Sequence, residues 1–136
     1  CLCGEHGQSI AMINSLSKID GEIIDTVISQ SDIERCLTSV KTAAHKIKMT
    51  QGSSIYGAVD CAYFIMESML KDSKVIKPLS VLLPNKLCIE YDTKPLFISV
   101  LAKITKEGVF PFDNFRLSSD EYLAFKSSIS VISKYL

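Results

Sequence analysis

The chain has no tryptophan, only two arginines (Arg35 and Arg116) in 136 residues, and no charge imbalance, since 15 basic residues meet 15 acidic ones. A pI near 6.9 leaves no basic footprint for nucleic acid or for an anionic membrane surface. Long hydrophobic runs are missing too. Leu96 to Ala102 is about as long as they become, well short of the roughly 20 residues a membrane helix needs, so we expect no span, and no signal-peptide pattern opens the chain. No glycine-rich phosphate loop follows a strand, and helices and strands do not alternate regularly, so the chain carries no dinucleotide-binding fold of its own. What is present is 47% hydrophobic and 22% charged, and is long enough to bury about two thirds of its unfolded surface, which describes one compact soluble domain. The chain opens at Cys1 without methionine, which reads as a cut inside a larger protein.

Five cysteines (Cys1, Cys3, Cys36, Cys61 and Cys88) are odd in number and scattered, two of them on apolar helix faces. That usage fits a reducing, cytoplasmic setting. Cys1, Cys3 and His6 have the chemistry of zinc ligands, yet no second Cys/His cluster follows downstream. We read no metal site, and take Cys1 and Cys3 as small apolar residues of a buried strand.

Lys18-Ile19-Asp20-Gly21-Glu22 is a hairpin signal, an Asp-Gly pair between apolar residues, and predicts two short strands. Ser31-Asp32-Ile33-Glu34 has capping-box spacing and opens a helix with Ile33, Cys36, Leu37, Val40, Ala44 and Ile47 on one stripe, ending near Gly52. Ile55, Ala58, Val59, Ala62, Met66 and Met69 mark a second helix, apolar over much of its circumference and expected to be central. Val75 to Leu83 and Leu96 to Thr105 read as strands, with Pro78, Pro84-Asn85 and Pro95 as punctuation and Gly108 as a turn before Val109 and Phe110. Ser118-Ser119-Asp120-Glu121 is a second capping box, and Tyr122, Phe125, Ile129, Ile132 and Leu136 continue as a terminal helix.

Gly4-Glu5-His6-Gly7 is the most pointed local sequence. Its glycines permit a tight turn that leaves the imidazole projecting, and imidazole is the side chain suited to proton transfer near neutrality. A surface-turn histidine has the same local pattern. His45, between Ala44 and Lys46 on the first long helix, reads as a solvated residue. Gly52-Ser53-Ser54 precedes a helix, so its hydroxyls either cap that helix or hold a polar substrate atom. Tyr56, Met66 and Met69 read as core rather than as a cofactor box.

Taken in order, these stretches resemble the C-terminal, substrate-binding domain of the NAD-dependent L-lactate/malate dehydrogenase family. Gly4-Glu5-His6-Gly7 followed by Ser9 looks like the signature around the family's catalytic histidine. Gly52-Ser53-Ser54-Ile55-Tyr56-Gly57 is similar to the Gly-Ala-Thr-x-Tyr-Gly pattern of bacterial lactate dehydrogenases and of the 2-hydroxyisocaproate branch, and malate dehydrogenases typically replace the Tyr-Gly pair. Pro78-Leu79-Ser80-Val81-Leu82, Gly108-Val109 and Leu117-Ser118-x-x-Glu121 with Ser127 fall in the expected order. The likeness spans nearly all of the chain.

The resemblance implies an α+β fold of twisted antiparallel strands packed against long helices, over residues 1–136, with the N-terminal NAD-binding Rossmann domain absent from this chain. It implies His6 as proton donor and acceptor and Ser54 as a substrate-binding hydroxyl, in an enzyme interconverting a 2-hydroxy acid and a 2-keto acid. NAD would be bound mainly by the absent domain, so the cofactor-binding residues are not assigned here. The implied partners are that Rossmann domain, the small-molecule acid, and further copies in a dimer or tetramer. The family's Asp partner of the histidine and its carboxylate-clamping Arg lie upstream of the signature. With only Arg35 and Arg116 present, this domain is not expected to turn over substrate alone. Gln8 stands where the family usually has Asp, and Ser53 and Ile55 also depart from the common residues. Those departures motivate one rival, a non-catalytic dehydrogenase-like interaction or oligomerisation domain; a malate-type enzyme is the other alternative, and Tyr56-Gly57 disfavours it.

Overall fold

A computed structural model describes residues 1–112 and 115–135. The sheet at its centre follows from the Val/Ile/Leu runs. Strand β5 (Ile76–Leu82) pairs antiparallel with β6 (Phe97–Thr105), from Ile76 opposite Lys103 to Leu82 opposite Phe97, and β6 pairs on its other edge with β7 (Gly108–Pro111). Pro78 sits inside β5. It is tolerated because β5 is an edge strand, where a missing N–H costs no ladder bond. Alternation along β6 buries Ile98, Val100, Ala102 and Ile104 on one face.

Two small hairpins precede the sheet: β1 (Leu2–Cys3) with β2 (Ala11–Met12), and β3 (Lys18–Ile19) with β4 (Glu22–Ile23). The turn of the second is Asp20-Gly21, with φ of 52° and 93°, both in the left-handed region a two-residue turn of this kind demands. A short helix α1 (Ile24–Val27) leads into α2 (Gln30–Gln51) and α3 (Ile55–Leu70), and a further short helix α4 (Asn85–Glu90) joins β5 to β6. The terminal helix α5 (Ser119–Ser133) lies over the core, where Phe125 meets Tyr91 and Phe115 edge-on at centroid distances of 5.1 and 5.3 Å. Leu136, expected on its stripe, lies outside the described residues.

Three expectations are corrected. First, α2 begins two residues before the expected box: Ser29 is the N-cap and accepts from the Asp32 backbone N–H at 3.3 Å, because Ser29-x-x-Asp32 offers the same spacing and wins. Second, α3 is not central. Tyr56 is 79% exposed and Met66 58% exposed, while Met69 is half-buried, so the reading of these three as core fails for the first two. Periodicity identifies apolar faces but does not supply the surface that covers them. Third, Cys36 and Cys61 are exposed on those helices. In the same region only Ile33 of the α2 stripe is buried. No helix among the described residues is long and apolar enough to cross a membrane.

The capping box at Ser118 is present in both directions: Glu121 N–H donates to Ser118 Oγ at 3.4 Å, and Ser118 N–H to the Glu121 carboxylate at 2.8 Å. The same carboxylate accepts from Ser15 N–H at 2.8 Å and Ser15 Oγ–H at 2.7 Å, tying α5 to the loop after β2. Burial pushes the Glu121 carboxyl upward, and the bonds from Ser15 and Ser118 outweigh it, so the group lies below its usual range. The ionised form is therefore favoured by folding; its contribution is full above the ordinary carboxylate range and is lost as pH falls through the folded-state value. We expect Glu121→Gln to cost about 1–3 kcal/mol at pH 7 and to lose less stability than the parent between pH 6 and pH 3, measured as urea midpoints. An equal acid slope in both proteins would remove Glu121 from the acid transition.

Candidate functional site

His6 occupies the loop between β1 and β2, and each end of that loop is anchored. Gly4 forms an antiparallel bridge to Ser99 in the middle of β6, donating to its carbonyl at 2.7 Å and accepting from its N–H at 3.3 Å. Glu5 N–H donates to Ser128 Oγ on α5. The Glu5 carboxylate turns inward and accepts from Ser9 Oγ–H at 2.7 Å and Ser9 N–H at 3.2 Å, closing the loop on itself. Ile10 N–H to the Gly7 carbonyl at 3.3 Å completes the turn. The His6 ring is left exposed, with no hydrogen bond to a protein group among the described residues. A fixed backbone and a free imidazole form an arrangement suited to meeting a ligand that brings its own hydrogen-bonding partner.

Ser54, the other sequence candidate, holds the N-cap position of α3, but its hydroxyl makes no cap bond, and the residue is exposed. Its hydroxyl is therefore free for a ligand, while the expectation of a capping serine holds for position only. Among the described residues, neither His6 nor Ser54 lines any of five surface clefts. Arg35 is paired with Asp32 on the first turn of α2. Arg116 lines a cleft of ≈ 530 Å³ with Lys86, Leu87 and Phe115, in which His6 takes no part. His45 is exposed, as its sequence surroundings imply.

Cys3 is fully buried in β1, and burial pushes its thiol up to about 11, so at neutral pH it is a neutral thiol rather than a nucleophile. Among the described residues no group of three His, Cys, Asp or Glu side chains could hold a metal ion. Ser99 and Ser128, which fix the histidine loop, escape sequence reasoning. Glu5 and Ser9 were findable, being four residues apart, but Ser128 is 123 residues from Glu5 and carries no local signal.

A family model described as lactate/malate dehydrogenase, alpha/beta C-terminal domain, matches residues 1–136. The chain belongs to the lactate/malate dehydrogenase family. Within it, this domain is similar to the L-lactate dehydrogenase of Mycoplasma mobile, 28% identical over 134 residues that make up 95% of this chain and 41% of that protein. It is also similar to the malate dehydrogenase of Aeropyrum pernix, 29% identical over 132 residues, 96% of this chain and 42% of that one. The solved structure of the Aeropyrum pernix enzyme superposes with a TM-score of 0.83 at 28% identity, covering 98% of this chain and 42% of that chain. The malate dehydrogenase of Archaeoglobus fulgidus, solved in complex with NADH, gives 0.74 at 25% identity over 98% of this chain and 41% of that chain. The lactate/malate dehydrogenase domain described here thus spans about two fifths of the length of these relatives. The α+β fold of antiparallel strands and helices is that of this family domain.

Proposed function

We propose that this domain is the substrate-binding and catalytic half of an NAD-dependent L-lactate dehydrogenase or related L-2-hydroxy acid dehydrogenase. The observation that carries the reading is the exposed His6 ring on a loop pinned to β6 and α5, in a chain of the lactate/malate dehydrogenase family. In the reductive direction the His6 imidazolium gives its proton to the carbonyl oxygen of a 2-keto acid; in the alcohol direction the neutral ring takes the hydroxyl proton. The Ser54 hydroxyl, free at the start of α3, is the proposed second contact to the acid.

When bound, the nicotinamide cofactor would give a hydride to the substrate's C2 as NADH, or take one from it as NAD⁺. The residues present do not fit it alone: the strand pairs described are all antiparallel, and none forms the parallel strand-helix-strand crevice that holds a dinucleotide. The reading therefore assigns NAD mainly to a Rossmann domain outside this sequence. The carboxylate clamp goes there too, since Arg35 is engaged by Asp32 and Arg116 faces another cleft. The uncovered apolar face of α3, with Leu70 88% exposed, fits contact with that domain or with further copies in a dimer or tetramer. Five free cysteines fit a reducing, cytoplasmic setting.

Tyr56-Gly57 favours a monocarboxylic 2-hydroxy acid, while the Aeropyrum pernix relative keeps malate as the second reading. The test is NADH oxidation by the full-length protein with pyruvate, a branched 2-keto acid and oxaloacetate in parallel. The expected result is turnover with one of the first two at a kcat/KM at least about tenfold above oxaloacetate. Preference for oxaloacetate replaces the substrate by malate. Absence of turnover with all three favours a non-catalytic interaction domain.

A further inference from the structure

We propose that Ser128 on α5 is a positioning residue for His6, so that the terminal helix sets the geometry of proton transfer. This inference rests on the reading of His6 given above.

Ser128 is a polar side chain with no exposed surface, in the middle of a helix whose neighbours Phe125 and Ile129 are core. A buried hydroxyl costs free energy unless it is bonded. Its oxygen accepts from the backbone N–H of Glu5, the residue immediately before His6. Contact between the two segments is also closer than a side chain allows. A Cβ built on Gly4 would lie 2.3 Å from Ser128 Oγ and 2.9 Å from its Cβ, and Gly4 has φ of +96°, so only glycine lets the loop approach α5 this far. The same peptide is held from the opposite side by Ser99 on β6. Position and orientation at Glu5 are thus set by two elements distant in sequence, and His6 inherits both through one peptide unit.

The consequence is kinetic. An imidazole that must reach the substrate oxygen within hydrogen-bond distance is sensitive to displacements well below 1 Å. Without the Ser128 acceptor, the Glu5 N–H is left unsatisfied beside the core and the loop has reason to shift. Substrate binding through Ser54 and through a clamp on another domain is untouched. The loss therefore falls on kcat rather than KM.

The test is Ser128→Ala in the full-length protein, with Ser127→Ala, exposed on the same helix, as control. S128A is expected to lower kcat for 2-keto acid reduction about tenfold while KM stays within about threefold. The His6 ring resonance, assigned by its disappearance in His6→Asn, should also change its chemical shift, while that of His45 stays in place. S128C, of similar volume but with only a weak sulfur acceptor, gives a fall of the same sign and serves if S128A does not fold. A folded S128A or S128C protein with parental kcat overturns the proposal. So does a fall in kcat with the His6 ring resonance unmoved, which marks Ser128 as structural only. If H6N itself keeps the parental rate, the reading of His6 fails first; loss in H6N with full activity in S128A isolates the failure to Ser128.

Discussion

Replacing His6 by asparagine in the full-length protein is expected to lower kcat for 2-keto acid reduction by about 10²–10⁴-fold, the span a positioned acid-base group contributes. Asparagine is the informative substitution because its amide can still donate a hydrogen bond to the substrate carbonyl but cannot deliver a proton. Because the His6 ring is exposed and makes no hydrogen bond to protein among the described residues, its removal should leave stability within about 0.5 kcal/mol. A kinetic loss with an unchanged melting curve separates chemistry from folding. Steady-state NADH oxidation and a thermal melt of the same preparation are sufficient. An H6N protein with parental turnover would exclude His6 from the mechanism and leave the exposed loop as a surface feature.

Sequence alone went far for elements whose cause is local. Val75 to Leu83 and Leu96 to Thr105 anticipate β5 and β6 to within a residue at every end, because β-branched and leucine runs bounded by proline have few other uses. Asp20-Gly21 and the Ser118 box are read equally well, each being a short-range hydrogen-bonding or dihedral device. Helix α4 went unread because Pro84-Asn85 looks like a turn, whereas Pro84 precedes a short helix whose Cys88 packs into the core. The exposure of α3, expected to be central, has a different reason. An apolar stripe states what a helix could cover, and among the described residues α3 packs chiefly against β6 while most of its apolar side chains stay exposed. At the site, Gly4 to Gly7 was legible as a motif, but the groups that hold it, Ser99 and Ser128, become neighbours only through tertiary folding.

Phe125→Ala tests how firmly that tertiary support is built. Phe125 has no exposed surface and sits between Tyr91 and Phe115, with Tyr91 stacked in turn on Tyr122 at 4.8 Å. Truncation removes a full aromatic ring and two edge-to-face pairs. The cluster joins α4, α5 and the segment after β7, so collapse into the void requires several backbones to move together. The expected cost is about 3–5 kcal/mol, a large share of the 5–15 kcal/mol that holds a typical domain folded. A urea titration following the transition of this domain measures it, and a loss below about 1 kcal/mol would show that the cluster repacks freely. Ser128 lies three residues further along the same helix, on the same side as Phe125. A helix loosened at Phe125 therefore carries the acceptor for Glu5 N–H away from its place. F125A should accordingly lower kcat even under conditions where the protein remains folded, whereas Leu123→Ala, exposed on the same helix, should not. Folded F125A with parental kcat would mean that α5 supports the fold without orienting the histidine loop.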